Sequence, residues 1–250
     1  MKPGTPRQDG FTLTELAVVI AIIGLLLGGM IMTLSAQNDA RQGNETQRTL
    51  EQAREAVIGF AVGRGRLPCP ASASSLGTED PATGGACASP SGFLPAATLG
   101  LQPTDGQGFL LDAWGNRVRY AVTMWDYSGT PSKLDVFTTT NGMREVGITP
   151  DGTGTARLNP DLVVCTTAFG SSTTDCGSGV PKFQTPAVIF SLGKTGSAGP
   201  SGPDDNENVD GDRVFVARSA GATGSGDYDD IVIWISPNIL FNRLVSAGPL

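Results

Sequence analysis

The fold of this chain is decided by one stretch, GFTLTELAVVIAIIGLLLGGMIMTL at residues 10–34. The 24 residues from Phe11 to Leu34 contain one ionisable side chain, that of Glu15. About 20 consecutive apolar residues are enough for a helix to cross the hydrocarbon core of a bilayer. The pattern therefore predicts a membrane-spanning helix with a single carboxylate close to its start.

Glu15 predicts a charged partner, because an acidic side chain at the centre of a membrane helix costs about 2.5–3.5 kcal/mol, and less near an end. Cleavage between Gly10 and Phe11 would create that partner, since a free α-amino group has a pKa of about 8 and is charged at neutral pH. A neighbouring subunit shifted along the helix axis would bring its own Phe11 amine beside Glu15. This arrangement predicts that Glu15 sets the register of subunits in a filament.

The motif from Gly10 to Leu16, followed by an apolar helix, resembles the processing site of type IV pilins and of type II secretion pseudopilins. The resemblance implies that a prepilin peptidase cleaves after Gly10 and N-methylates Phe11. It also implies that Glu15 is the glutamate used in assembly. The implied partners are the membrane, the prepilin peptidase, other pilin-like subunits and an inner-membrane assembly platform.

The resemblance further implies a location. The protein is expected in the bacterial inner membrane, as a single-pass protein with a periplasmic head, and afterwards in a periplasmic or extracellular filament. Two other interpretations of the apolar segment stay open: a conventional signal peptide cleaved near Ser35 or Ala36, and an uncleaved single-pass anchor. Glu15 and the length of the segment argue against the signal peptide.

The first helix is predicted to continue beyond the membrane. Apolar and small residues recur at spacings typical of an amphipathic helix, namely at Ala36, Ala40, Gly43, Leu50, Ala53, Val57 and Phe60. Gly63, Gly65 and Pro68 predict where this helix ends. The sequence thus divides into a leader at residues 1–10, a transmembrane and assembly helix at 11–35, the outer half of the helix at 36–65, and a globular β-rich head at 66–250.

The head is predicted to be rich in loops, since the chain has 34 glycines, 17 prolines and only 16% charged residues. Apolar and alternating runs predict strands at residues 117–124, 162–166, 187–192, 213–217 and 231–235, and a hairpin that pairs 134–140 with 143–148 across Asn141-Gly142. Turn-rich links favour antiparallel pairing. A short helix is predicted at 236–245, with Pro237 at its first position. The predicted fold class is α+β, a pilin-like long helix packed on an antiparallel sheet.

The segment from Asp112 to Asn116, with the sequence DAWGN, is similar to the Asp-x-Trp-Gly-Asn segment that begins the β-region of major pseudopilins. Its residue types predict a turn in which Asp112 and Asn116 bond to local backbone, Gly115 adopts an unusual φ, and Trp114 covers the core. At 250 residues the chain is longer than a typical major pseudopilin. This length favours a minor or specialised subunit.

The four cysteines predict two disulfides, and the candidates are Cys69, Cys87, Cys165 and Cys176. Pairing between sequence neighbours is the simplest framework, although four cysteines allow three connectivities. A compartment outside the cytoplasm permits their oxidation. A zinc site is the weaker interpretation, because no CxxC spacing is present.

An acidic stretch at residues 204–212 is the candidate metal site, and calcium is the cofactor that it would suit, since this hard cation takes six to eight oxygen ligands. The candidate ligands are Asp204, Asp205, Asn206, Asn208, Asp210 and Asp212. The EF-hand pattern fails, because counting from Asn206 places Ala217 where a glutamate is required. A solvated acidic loop without metal is the alternative, and no other cofactor is predicted.

The residues argue against catalysis and against nucleic-acid binding. The chain contains no histidine, no Gly-x-Ser-x-Gly elbow and no P-loop, so an enzyme is not predicted. Its net charge is −7 and it has no run of basic residues, whereas nucleic-acid binding relies on clustered Lys and Arg.

The predicted function is that of a structural subunit of a type II secretion pseudopilus or a type IV pilus-like filament. The alternative is a filament-borne adhesin or ligand-binding module that uses the pilin helix as a stalk. Its contact surface would be the loops at residues 68–103 or the acidic loop. An exposed patch of aromatic side chains on the head would favour this alternative.

Overall fold

A computed structural model describes residues 12–129, 132–147, 158–219 and 228–248, and the side chains of residues 26–36 lie outside the description. Gly10 and Phe11, the predicted cleavage and methylation site, therefore lie outside the described residues. By its contacts the chain forms two compact units, Met1–Gln42 and Gly43–Leu250.

The predicted α+β class is confirmed, with a long N-terminal helix and a mainly antiparallel sheet structure. In chain order the elements are α1 (Leu13–Arg64), β1 (Ser91–Phe93), α2 (Ala96–Leu99), β2 (Arg119–Val122), α3 (Gly142–Val146), β3 (Leu162–Cys165), β4 (Lys182–Thr185), β5 (Ala187–Ser191), α4 (Pro203–Glu207), β6 (Val214–Val216), β7 (Ile231–Trp234) and α5 (Pro237–Ala247). The five single strand predictions and the C-terminal helix at Pro237 are confirmed.

Helix α1 runs for 52 residues without a proline. It ends where Gly65 takes a φ of 68° and donates its N–H to the carbonyl of Ala61, within the stop predicted from Gly63, Gly65 and Pro68. In the first unit, the described side chains of residues 12–25 are exposed. Over the described residues, no helix is both long and apolar enough to cross a membrane. The predicted span at 11–34 includes Phe11 and the side chains of residues 26–34, which lie outside the description.

The amphipathic stripe of α1 is confirmed in the second unit, where Leu50, Ala53 and Val57 have no exposed surface. The stripe was expected to begin at Ala36, but Ala40 is exposed, and burial begins at Thr46. Regular spacing alone does not bury a helix face: among the described side chains of the second unit, contact with the core begins at Thr46.

Two sheets lie in the described part of the second unit. The larger has the order β1-β2-β5-β7, and all its neighbours are antiparallel. The smaller has the order β4-β3-β6. Its β3–β4 pair is antiparallel, whereas β3 and β6 are parallel, so the antiparallel prediction is wrong for this pair. Parallel strands need a long crossover, and here β4, β5 and α4 all lie between β3 and β6 in the chain.

The larger sheet separates two hydrophobic clusters. Tyr120 and Ile189 point to the cluster that contains Leu50 and Val57 of α1. Their sequence neighbours on β2 and β5 point to a second cluster, which includes Ala121, Val188, Phe190, Leu162, Val164 and Phe215. Successive side chains of a strand face opposite sides. The larger sheet therefore packs on α1 with one face and on the smaller sheet with the other.

The predicted hairpin across Asn141-Gly142 is wrong. Residues 134–140 form turns, and Gly142–Val146 form the helix α3; Ile148 lies outside the described residues. Asn141 has a φ of 60°, and a Cβ on Gly142 would lie 2.3 Å from the carbonyl oxygen of Val136. The apolar residues on both sides of this tight turn are buried in the core, so core packing overrides the local hairpin signal.

Besides α3, four elements were not predicted, namely β1, β4, α2 and α4. β1 has three residues and α2 has four, which leaves little room for a periodic pattern. The first three residues of β4 are exposed, so this edge strand carries no apolar signal. The acidic segment expected to be a loop instead forms α4 over Pro203–Glu207.

Candidate functional site

The start of α1 is closed by hydrogen bonds between Thr12 and Glu15. The Thr12 N–H donates to Glu15 Oε2 over 3.0 Å, and the Glu15 N–H donates to Thr12 Oγ1 over 3.3 Å. The Thr12 hydroxyl also donates to Glu15 Oε2 over 2.9 Å. This reciprocal pattern is a capping box, which satisfies two backbone donors that a helix start leaves without partners.

The capping box gives Glu15 a second role that the sequence prediction missed. The signal was present as the Thr-x-x-Glu spacing of residues 12–15. The predicted pairing of Glu15 with the Phe11 amine of another subunit stays a prediction, as does the processing at Gly10 and Phe11.

The helix that follows exposes a continuous run of apolar side chains. Leu13 is 86% exposed and Leu25 is 81% exposed, with Val18 and Ile22 above one half. A contiguous apolar surface of this kind marks contact with a membrane or with other proteins. This surface can therefore be buried by lipid or by equivalent helices.

The turn predicted at Asp112 to Asn116 is confirmed, and it also forms hydrogen bonds with two other elements. Asp112 Oδ1 accepts from the N–H groups of Trp114 and Asn116 over 2.9 and 2.7 Å, and Gly115 has a φ of 85°. Asp112 Oδ2 also accepts from the hydroxyl of Ser191 over 2.6 Å, and the Ala113 N–H donates to Thr46 Oγ1. The turn thus joins α1 to β5. Trp114 is half-buried, and its indole nitrogen is enclosed without a hydrogen-bond partner.

The cysteines form two local disulfides, Cys69–Cys87 and Cys165–Cys176. The first closes a loop just after α1, and Cys69 belongs to the core cluster that includes the helix. The second anchors the loop after β3. Each disulfide therefore closes an irregular segment, and the second also ties its segment to β3. Both cross-links restrict the unfolded chain.

The structure does not bring the six predicted calcium ligands together. Asp204 forms an ion pair of 2.7 Å with Arg218, and both are buried. Asn208 Nδ2 donates to the Val216 carbonyl and to Asp230 Oδ2, and its Oδ1 accepts from the Val216 N–H. The side chains of Asp204 and Asn208 therefore stabilise the fold. Asn206 is exposed.

The remaining acids separate into two groups. Asp210 and Asp212 lie with Glu207 at the surface, and their side chains also accept hydrogen bonds from nearby backbone N–H groups. Asp205 lies instead with Asp229 and Asp230, at the start of β7, and one oxygen from each of these three carboxylates lies within 4.8 Å of the others. Asp229 and Asp230 are distant from Asp205 in sequence, so the linear acidic pattern contained no signal for this grouping.

Burial alters the acid–base behaviour of this second group. The pKa of Asp230 is raised to about 7, mainly by burial; the hydrogen bond from Asn208 lowers it, and the neighbouring charges of Asp205 and Asp229 raise it. The pKa of the Tyr228 hydroxyl is also raised, mainly by burial and then by the charge of Asp230. Several negative charges therefore face each other in a poorly solvated place.

A family model of the prokaryotic N-terminal methylation motif matches residues 5–31. This motif is the prepilin-type signal of type IV pilins and pseudopilins, and the chain carries it. The match supports a pilin-like or pseudopilin-like precursor, and a motif of this kind implies processing by a prepilin peptidase and assembly with other pilin subunits. No match was found among curated proteins or among solved structures.

Proposed function

We propose that this protein is a minor or specialised structural subunit of a type II secretion pseudopilus or of a type IV pilus-like filament. The methylation motif at residues 5–31 is the observation that carries the proposal. The capped helix with an exposed apolar surface supports it, because such a helix suits both storage in a membrane and burial among equivalent helices.

In this proposal the prepilin peptidase cleaves after Gly10 and methylates Phe11. The helix is held in the inner membrane until an assembly platform extracts it into a growing fibre. Glu15 then leaves lipid and gains the amine of a neighbouring Phe11, which fixes the register of the subunits. The head stays outside the membrane, where its two disulfides are compatible with an oxidising compartment.

Intact-mass measurement and N-terminal peptide mapping of the protein from its native membrane test this proposal. We expect a mature chain that begins at N-methylated Phe11. A matched Gly10→Lys variant, which alters the cleavage site only, should keep its leader. A wild-type chain that begins at Met1 or beyond Ser35 would show a plain anchor or a secreted protein and would overturn the proposal.

A filament-borne ligand-binding module is the second candidate, and an aromatic pair on the head favours it. Phe183 of β4 is 49% exposed and stacks on Trp234 of β7, with ring centroids 5.5 Å apart and planes inclined by 21°. Exposed aromatic faces are common in binding surfaces. A Phe183→Ala variant that assembles normally but loses adhesion of cells to a surface would support this candidate, whereas unchanged adhesion would count against it.

A further inference from the structure

A cleft lies on the head between the end of β2, the start of β3 and the segment that precedes β6. Its volume is about 380 Å³, and sites for small ligands usually measure about 300–1,000 Å³. Pro90 lines the cleft from the loops at residues 68–103, and Gly211 lines it from the acidic segment. The fold thus brings together the two segments that the sequence offered as alternative contact surfaces.

An ion pair lies on the wall of this cleft. Arg213 Nη1 is 2.9 Å from Asp161 Oδ2. Asp161 Oδ1 accepts a hydrogen bond from the hydroxyl of Thr123, and the Asp161 N–H donates to Thr123 Oγ1 over 3.1 Å. Thr123 has no exposed surface, whereas the Arg213 side chain is 53% exposed. The carboxylate is therefore fixed from inside the head, and the guanidinium reaches solvent beside it.

This pair offers hydrogen-bond donors and acceptors side by side. A guanidinium has more N–H groups than one ion pair uses, and each carboxylate oxygen can accept more than one hydrogen bond. The exposed residues Thr173 and Thr174 add hydroxyl groups to the rim, while Val122 and Leu162 give the cleft an apolar wall. A sugar matches this combination, because each of its hydroxyls both donates and accepts and its ring carries apolar C–H groups.

Charge and strand order argue against two other kinds of ligand. Among the described residues that line the cleft, Asp161 and Asp212 are acidic and Arg213 is basic. The excess of negative charge disfavours an anionic ligand. Strands β2 and β3 each have a neighbour on both sides within their sheets, so neither can pair with an added peptide strand. A neutral ligand held by side chains is the class that fits.

We propose that this cleft binds a neutral saccharide, with Arg213 and Asp161 contacting its hydroxyls and Val122 and Leu162 contacting its C–H groups. The proposal goes beyond filament membership. It extends the second candidate function, the ligand-binding module, to a site that Phe183 and Trp234 do not line.

The test uses the full-length chain in a detergent whose head group is not a sugar, applied to an array of neutral and anionic glycans. We expect binding to neutral glycans, and titration calorimetry with the best of them then gives Kd. Arg213→Ala and Asp161→Asn should each raise Kd about 10-fold or more, because each removes a charged hydrogen-bonding group. The matched control is Arg243→Ala, which removes an arginine that is 62% exposed and pairs with Glu55 over 3.9 Å, and it should leave Kd unchanged.

Methyl NMR of the wild-type chain gives a readout that needs no variant to fold. Met124 lines the cleft, whereas Met143 lies in the main core and does not. Added saccharide should shift the methyl signal of Met124 and leave that of Met143 in place. Binding to no neutral glycan, stronger binding to anionic glycans, or an Arg213→Ala variant that binds like wild type would each overturn the proposal. None of these results would alter the mapped N-terminus, so this proposal and filament membership fail independently.

Discussion

At the residue scale, Glu15 combines two roles that substitutions can separate. Its carboxylate closes the capping box with Thr12, and it is proposed to pair with an amine in the filament. Glutamine also forms a capping box, whereas alanine cannot. Glu15→Gln therefore removes the charge and keeps the cap, and Glu15→Ala removes both.

We expect Glu15→Gln and Glu15→Ala both to be processed normally and both to be depleted from the sheared filament fraction, because the missing charge is what assembly requires. Thr12→Val, which removes the capping hydroxyl and keeps the charge, serves as the control and should still be incorporated. If Glu15→Gln is incorporated as well as wild type, capping rather than amine pairing is the function of this side chain.

Asp230 leads to a prediction about pH. Its folded-state pKa of about 7 lies above the ordinary value near 3.9, so between these two values the folded state binds more protons than the unfolded state. Stability should therefore fall as the pH rises through this window, by at most about 4 kcal/mol. Among the described residues, the titratable groups that interact with Asp230 include Asp205, Asp229 and Tyr228.

The Asp230→Asn variant tests this prediction, because asparagine keeps an acceptor for Asn208 and carries no charge. At pH 8 the variant should unfold at a higher temperature than wild type. The difference should shrink when the pH is lowered to 5, where the wild-type carboxyl is protonated in the folded state. A difference that does not change with pH would show that the substitution acts through packing instead.

At the element scale, a buried ion pair fastens the end of α1 to the loop that follows it. Arg66 Nη1 and Nη2 donate to the two oxygens of Glu79 over 2.7 and 2.8 Å, and both side chains are 4% exposed. Glu79 also accepts from the Cys69 N–H over 3.2 Å. The pair thus fixes the chain between the end of α1 and the loop that the Cys69–Cys87 disulfide closes.

Removal of one member should leave the other buried without compensation. Glu79→Ala is expected to lower the free energy of unfolding by about 3–5 kcal/mol, measured by chemical denaturation. The exposed pair of Lys182 and Asp175, whose side chains are 52% and 50% exposed, is the matched comparison. Asp175→Ala should change stability by less than about 1 kcal/mol. Equal effects of the two substitutions would contradict the argument from burial.

At the scale of the whole molecule, the head contains its own core. The clusters that hold it together draw on α1 only from Leu50 onward, and Thr46 is the first buried residue of the described helix. The described side chains before Gln42 are largely exposed. The unit Gly43–Leu250 should therefore fold without the residues that precede it.

A chain that begins at Gly43 should be monomeric and should unfold cooperatively at a temperature close to that of the full-length protein. A chain that begins at Ile58 serves as the control, since it lacks Leu50, Ala53 and Val57 and should not fold. Both can be compared by circular dichroism and calorimetry. Failure of the longer fragment to fold would show that residues 1–42 contribute to the stability of the head.

The features that local patterns predicted are those set by neighbours in sequence. The methylation motif, the stripe of Leu50, Ala53 and Val57, the turn at Asp112 and the start of α5 at Pro237 each depend on residues within a few positions of one another. Helix periodicity, capping and turn formation act over that range, so the sequence alone was sufficient for the α+β class.

The remaining features depend on contacts between distant residues. The parallel pairing of β3 with β6, the helix at Gly142 in place of a hairpin, and the meeting of Asp205 with Asp229 and Asp230 all arise when separate segments pack together. Burial then decides the outcome, because core packing outweighs a local turn preference and because poor solvation raises the pKa of a carboxylate. No local pattern encodes these effects, so they emerge only from the folded head.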